Sequence, residues 1–281
     1  MSNVYNGQDL TGPKTARPLG NRPANSGEVF WDQTDRRLFA VADHIWPGML
    51  IPVDGRAVYS AASPRHLYDD FGGGINSTIW TTTKGSDPQS VIATAVTGAP
   101  NGEITLVSGD AGTGIAADGS VICSPLVFEA EEGKIVAYWR AKISNISDVW
   151  MFFGFTDTLS SGTLEQPASL SGTTYTTNAT DAIGFLYDTA ATTDTFRLIG
   201  VANDVDATHV DTAVAPVADT YVDFILIVDT DGSAIGYING TQVGTLAAGA
   251  VRPTIDLCLF AGVNSRTTTI KTLTVDAMGA R

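Results

Sequence analysis

From Lys134 to Asp276 the chain is a succession of short β-branched and aromatic runs, each closed by Gly, Asn, Asp or Ser, with no apolar pattern of helical period. Runs spaced about a dozen residues apart pair antiparallel and stack as two sheets, because each carries an apolar face that must be covered. Ile135–Ile143 is the clearest of them. Ile135, Ala137, Trp139, Ala141 and Ile143 share one face, while Tyr138, Arg140 and Lys142 share the other, the period of two of a half-buried strand. Val149–Phe155 is apolar on both faces, which predicts a central strand covered on both sides. Ala182–Tyr187, Phe196–Ala202, Tyr221–Val228, Ala234–Ile238, Ile255–Ala261 and Thr268–Ala277 continue the series. Asp229-Thr230-Asp231-Gly232 and Asn239-Gly240 supply well-signalled turns, the second linking Ala234–Ile238 to Thr241–Leu246.

Upstream the texture changes. Residues 1–27 are interrupted by Pro13, Pro18, Pro23, Gly7, Gly12, Gly20 and Gly27, which predicts an extended arm. Residues 28–67 read as a small β unit or connector. A hairpin is expected from Glu28–Asp32 and Asp35–Val41, followed by a short run at Met49–Val53, too little to form a stable core alone. The main sandwich is expected over residues 68–281. Its early strands are Glu103–Gly109 and Val121–Phe128, joined by the Gly-rich turn Asp110–Gly119. Thr156–Asp181 is nearly all Ser, Thr, Gly and Ala, and connections beyond about 12–15 residues are usually functional or disordered, so an exposed, variable tip is expected there.

Two stretches carry a resemblance. Asp69-Asp70-Phe71, a Gly-rich connection and then Ile79-Trp80-Thr81-Thr82 resemble the opening of the concanavalin A-like (lectin/glucanase, laminin G-like) jelly rolls. The segment Tyr221–Gly244, with its Asp231-Gly232 turn and its Tyr237-Ile238-Asn239-Gly240 hairpin, is similar to the late strands of that family. The resemblance covers about 210 residues, from Tyr68 onward. It implies an all-β fold, an antiparallel β-sandwich preceded by the extended N-terminal arm and the small β-hairpin unit. It leaves function open, since that fold serves lectins, glycosidases, lyases and virion proteins.

Charge narrows the choices. Residues 1–70 hold 7 Lys/Arg against 8 Asp/Glu, whereas residues 71–281 hold 9 against 22. A body so acidic repels phosphate backbones, so no nucleic acid partner is expected. No run approaches the roughly 18 apolar residues of a membrane span, so no membrane partner is expected either. The opening Met-Ser-Asn-Val-Tyr-Asn-Gly lacks the basic start and apolar core of a signal peptide, which leads us to expect synthesis in a cytoplasm. Cys123 and Cys258 both sit in apolar runs and are expected to be buried thiols.

Catalytic and metal chemistry has few sequence footholds. Glycoside hydrolases of the resembled fold place two carboxylates at alternating positions of one strand. The nearest string, Glu129-Ala130-Glu131-Glu132, ends at Gly133 and reads as a solvated turn. The three histidines, His44, His66 and His209, lie in loop-like contexts. Asp204 with Asp206, Asp229 with Asp231, and Asp181 with Asp188 offer oxygens for calcium, but ordinary Asx turns explain them better. No catalytic residue, cofactor or metal is therefore expected, and the chain is read as not an enzyme. Trp80, Trp139 and Trp150 read as core.

Together the mildly basic arm, the small hairpin, the acidic body and the absence of a signal sequence resemble tailed-phage virion proteins that decorate the capsid or form head or tail fibres. The expected partners are a major capsid protein or other virion subunits, further copies of the chain in a homo-oligomer such as a trimer, and a cell-surface glycan. The expected contacts are Lys14, Arg17, Arg22, Trp31 and Trp46, and the expected location is the virion. The alternative is a carbohydrate-binding adhesin or lectin, and behind it a polysaccharide-active enzyme.

Overall fold

The turn-punctuated runs become strands along nearly all of the chain that the computed structural model describes. Those residues are 67–94, 102–112, 114–159, 164–206 and 209–281, with three strands before them. The chain divides into two units, Met1–Val58 and Tyr59–Arg281. In the first, β1 (Val29–Asp32), β2 (Arg37–Val41) and β3 (Leu50–Pro52) form an antiparallel sheet in the order β1-β2-β3, with Val29 opposite Ala40 and Val41 opposite Leu50.

In the second unit the strands in chain order are β4 (Leu67–Asp69), β5 (Thr81–Lys84), β6 (Val91–Thr94), β7 (Ile104–Val107), β8 (Ser120–Cys123), β9 (Ile135–Ile143), β10 (Val149–Thr156), β11 (Ala168–Ser171), β12 (Thr174–Thr177) and β13 (Asp181–Asp188). They continue with β14 (Arg197–Ala202), β15 (Val205–Asp206), β16 (Val210–Asp211), β17 (Val222–Val228), β18 (Ala234–Ile238), β19 (Thr241–Leu246), β20 (Cys258–Ser265) and β21 (Thr272–Ala280). One sheet runs β15-β14-β13-β10-β20-β8-β5, with β16 also on β14. The other runs β19-β18-β17-β9-β21-β7-β6, with β4 also on β21. Every named pairing is antiparallel, and the two sheets face each other as a sandwich. The Gly-rich turn expected at 110–119 contains one helical turn, Ile115–Asp118.

The alternation in β9 is realised residue by residue. Its odd positions are buried and its even positions are half-exposed. Trp139, Met151, Phe153, Phe155, Phe224 and Leu259 are each at most 2% exposed, so the expected core is the observed one. Aromatic rings bind the two sheets together. Phe224 of β17 stacks on Phe153 of β10 at 4.7 Å and meets Phe196 edge-on at 5.0 Å. Fully burying a side chain of this size contributes about 1.5–3 kcal/mol.

β10 is buried on both faces, as expected, but what covers its outward face was not. The connection after β10, read as an exposed tip, folds back as the β11–β12 hairpin. Leu164, Ala168, Leu170 and Ala179 from it pack onto Trp150, Phe152 and Phe260 of the sheet, and the Trp150 indole N–H donates to the Ala168 carbonyl at 2.8 Å. Beneath the hairpin β13 passes close to β10: a Cβ on Gly184 would stand 2.4 Å from the Phe153 carbonyl oxygen and 2.9 Å from the Phe152 ring. Cys123 and Cys258 lie buried in this same layer. Their mutual hydrogen bond, together with burial, raises the Cys258 thiol pKa well above its ordinary value.

Candidate functional site

Each sheet has one outward face, and the two differ. On the β10 sheet the hairpin fills that face. The outward positions of β13 are Ala182, Gly184, Leu186 and Asp188, as the register against Thr156, Gly154, Phe152 and Trp150 shows. Asp188 is taken up by Arg266, whose Nε donates at 3.0 Å, and Asp181 at the other end of the strand by Arg252, whose Nε donates at 2.8 Å. Both carboxylates are completely buried. These acids therefore hold arginines, and the calcium oxygens considered for them are occupied. Asp231 receives the backbone N–H of Ser233 in an Asx turn, and Asp229 receives that of Thr230. Among the described residues no group of three or more His, Cys, Asp or Glu side chains is placed to hold a metal ion.

Among the described residues nothing covers the outward face of the β9 sheet. β9 contributes Tyr138, Arg140 and Lys142, β17 contributes Asp223, and Tyr221 lies just before it. Arg140 is the hub. Its Nη1 donates to Asp223 at 3.1 Å and its Nε forms an ion pair with Asp276 at 3.0 Å. The Tyr138 hydroxyl donates to the same Asp223 oxygen at 2.9 Å. The Tyr221 ring lies 4.8 Å from the Arg140 guanidinium and 4.5 Å from the Lys142 amine, a cation–π arrangement. Its hydroxyl donates a short hydrogen bond to Glu103, which Lys142 approaches at 3.8 Å.

Asp276 reaches this cluster because the strand is irregular. The register between β21 and β9 shifts between Val275 and Ala277, and a bulge of this kind re-aims one side chain. Burial raises the pKa of Asp276, and Glu103, Asp223 and Asp70 raise it further against the pull of Arg140. Burial, with Asp70 as a further cause, pushes the Tyr68 phenol up to about 12. Three carboxylates, two cations and several phenols thus share one half-exposed surface. Such groups can hydrogen-bond hydroxyls in pairs while the aromatic rings offer apolar faces.

Of the residues expected to make contacts, Lys14, Arg17, Arg22 and Trp46 lie outside the described residues, as does the side chain of Trp31 on β1. Trp80, Trp139 and Trp150 are core, as read. Glu129 is half-buried, and Glu131 and Glu132 are exposed in the turn expected for them. The sequence reading put Tyr138, Arg140 and Lys142 on one face, and missed Tyr68, Glu103, Tyr221, Asp223 and Asp276. The alternation Tyr221-Val222-Asp223 was a signal available for two of them.

No family model matches the chain, and no curated protein matches it in sequence. In three dimensions it is similar to the β-glucanase of Bacillus licheniformis, with a TM-score of 0.52 and 14% identity over 77% of this chain and 97% of that one. It is similar to a glycoside hydrolase family 16 endo-glucanase from Bacteroides ovatus, with a TM-score of 0.52 and 12% identity over 76% and 99%. It is also similar to an endo-β-1,4-glucuronan lyase from Trichoderma reesei, with a TM-score of 0.50 and 10% identity over 77% and 94%. The fold is the concanavalin A-like jelly roll.

These similarities overturn the expectation that the chain is not an enzyme, because the architecture it shares carries glucanases and a lyase. Paired acids on a single strand are only one way to build a site: a sandwich also brings together acids from strands far apart in the chain, as it does with Glu103, Asp223 and Asp276.

Proposed function

We propose that the protein recognises a polysaccharide through the open face of the β9 sheet. The observation that carries this reading is the convergence of half-exposed tyrosines with charge pairs on one Arg140-centred surface. Sugars are recognised in this way, with rings packed on aromatic faces and hydroxyls bonded by carboxylate and guanidinium groups. The names of the structural neighbours, glucanases and a glucuronan lyase, support the same ligand class. Asp276 and Asp223 flank the same guanidinium and are the acids to test for turnover.

The experiment is binding to a panel of immobilised glycans, with release of reducing ends measured in parallel. The protein binds at least one polysaccharide, and Tyr138→Ala or Arg140→Ala weakens that binding by about tenfold, a loss of about 1.4 kcal/mol. If cleavage accompanies binding, Asp276→Asn removes it. A protein that binds nothing on the panel, or whose binding ignores both substitutions, refutes the reading.

The setting suggested by the sequence is a tailed-phage particle that carries this glycan-binding body through its N-terminal region. Support for it is confined to the sequence: Lys14, Arg17 and Arg22 on an acidic chain. Removing residues 1–27 should then release the body from the particle while glycan binding persists. Retention of the shortened protein on particles counts against that setting.

A further inference from the structure

The strand registers place three tyrosines of the open face in one line. Tyr237 of β18 stands opposite Ile225 of β17, Ile225 opposite Tyr138 of β9, Tyr138 opposite Gly279 of β21, and Gly279 opposite Tyr68 of β4. The line therefore crosses five strands at right angles, with a tyrosine on every second one. Neighbouring strands lie about 4.8 Å apart, so successive tyrosines are spaced by about 10 Å along the row.

The positions between them are low. Ile225 is 5% exposed, and Gly279 has no side chain, since a Cβ there would stand 2.5 Å from the Leu67 carbonyl oxygen. The three tyrosines, by contrast, are all half-exposed. The row is thus a series of raised aromatic platforms separated by hollows.

We infer that this row binds an extended, flat, β-linked and uncharged polysaccharide laid across the strands, each tyrosine taking every second sugar. The inference rests on the glycan-binding reading above and specifies its ligand. In an extended β-1,4-linked chain alternate sugars are flipped, so the same ring face recurs once per disaccharide, a repeat close to the platform spacing. An α-linked chain coils and presents no such period along a straight line. Charge excludes the acidic members of the class. Asp70, Glu103, Asp223 and Asp276 lie beside the row against Arg140 and Lys142, which are each tied to a carboxylate. A chain of uronates would bring further negative charge to an acidic surface.

The test uses the full chain and soluble oligosaccharides of two to six sugars in three series: β-1,4-linked glucose, α-1,4-linked glucose and β-1,4-linked uronate. The expected result is binding of the first series alone. Affinity should climb with length up to about five sugars, the number that reaches all three tyrosines, and then level off. Tyr68→Ala and Tyr237→Ala each lower affinity for the hexasaccharide by about tenfold and leave the disaccharide, held elsewhere on the row, much less affected. Tyr138→Phe keeps the ring, hence the binding, which separates stacking from loss of the hydroxyl contact to Asp223. Unchanged circular dichroism and tryptophan emission certify that each variant is folded. Equal binding of the α-linked or uronate series through Tyr138 overturns this inference and leaves the glycan-binding reading standing. Binding of no series, together with a silent wider panel, overturns both.

Discussion

Phe224→Ala lowers the stability of the sandwich by about 3–5 kcal/mol, the range found when a buried aromatic is cut back to a methyl group. Its position argues for the upper part of that range. Phe224 is 1% exposed and touches three further rings: Phe153 stacked at 4.7 Å, Phe196 edge-on at 5.0 Å and Phe185 tilted at 5.3 Å. Phe153 and Phe185 belong to the opposite sheet, so the substitution removes the ring by which β17 grips β10 and β13. The cavity cannot close readily, because Phe153 and Phe185 are held by strands paired on both sides. Phe224→Leu refills much of the space and loses less. Denaturant unfolding measures both, and a loss below about 1 kcal/mol for the alanine variant contradicts the role given to this ring.

The same substitution probes the site from beneath. Asp223 and Ile225, the chain neighbours of Phe224, face outward on the candidate surface. A folded Phe224→Leu variant that retains glycan binding shows that the outer face keeps its geometry when the core beneath it is repacked.

Some of this was legible in the residues and some was not, for identifiable reasons. β9 could be read completely because one face is core and the other is solvent, the arrangement that writes a period of two into a sequence. β10 could be read as covered on both sides, yet not what covered it. The covering segment brings only small, scattered apolar residues, Leu164, Ala168, Leu170 and Ala179, in a background of Ser, Thr and Gly. That composition is a loop signal, and only the unshielded Trp150, Phe152 and Phe260 of the opposite surface reveal that the loop has a place to go.

The candidate site was half-legible. Its β9 residues lie in one alternating run, but Asp223 is 83 residues from Arg140, and Glu103 is 118 from Tyr221. Bringing them together requires the strand order, which no local pattern encodes. Asp276 is harder still, since the bulge at its position breaks the parity by which a strand residue is assigned to a face.

Asp188→Ala is expected to cost about 3–5 kcal/mol, as breaking a buried ion pair from one side does. The carboxylate is fully buried, whereas its partner Arg266 is 29% exposed at the side chain. It accepts Nε of Arg266 at 3.0 Å, the backbone N–H of Leu170 at 2.9 Å and that of Ala190 at 3.1 Å. Alanine removes all of these acceptors at once and leaves a guanidinium and two backbone donors without their partner, and groups orphaned in this way carry most of the cost. The Leu170 bond is the consequential one, because it ties the covering hairpin to the strand beneath. Amide exchange should therefore speed up at Leu170 and along β11 more than elsewhere. Because Arg266→Ala breaks the same pair, the double variant should lose clearly less than the two single losses combined. The exposed pair Lys134–Asp229, at 54% and 45% side-chain exposure, serves as the control, and removing it should leave the unfolding midpoint where it was. Losses that simply add in the double variant, or β11 amides that stay protected in Asp188→Ala, would show that the hairpin is held by its apolar contacts alone.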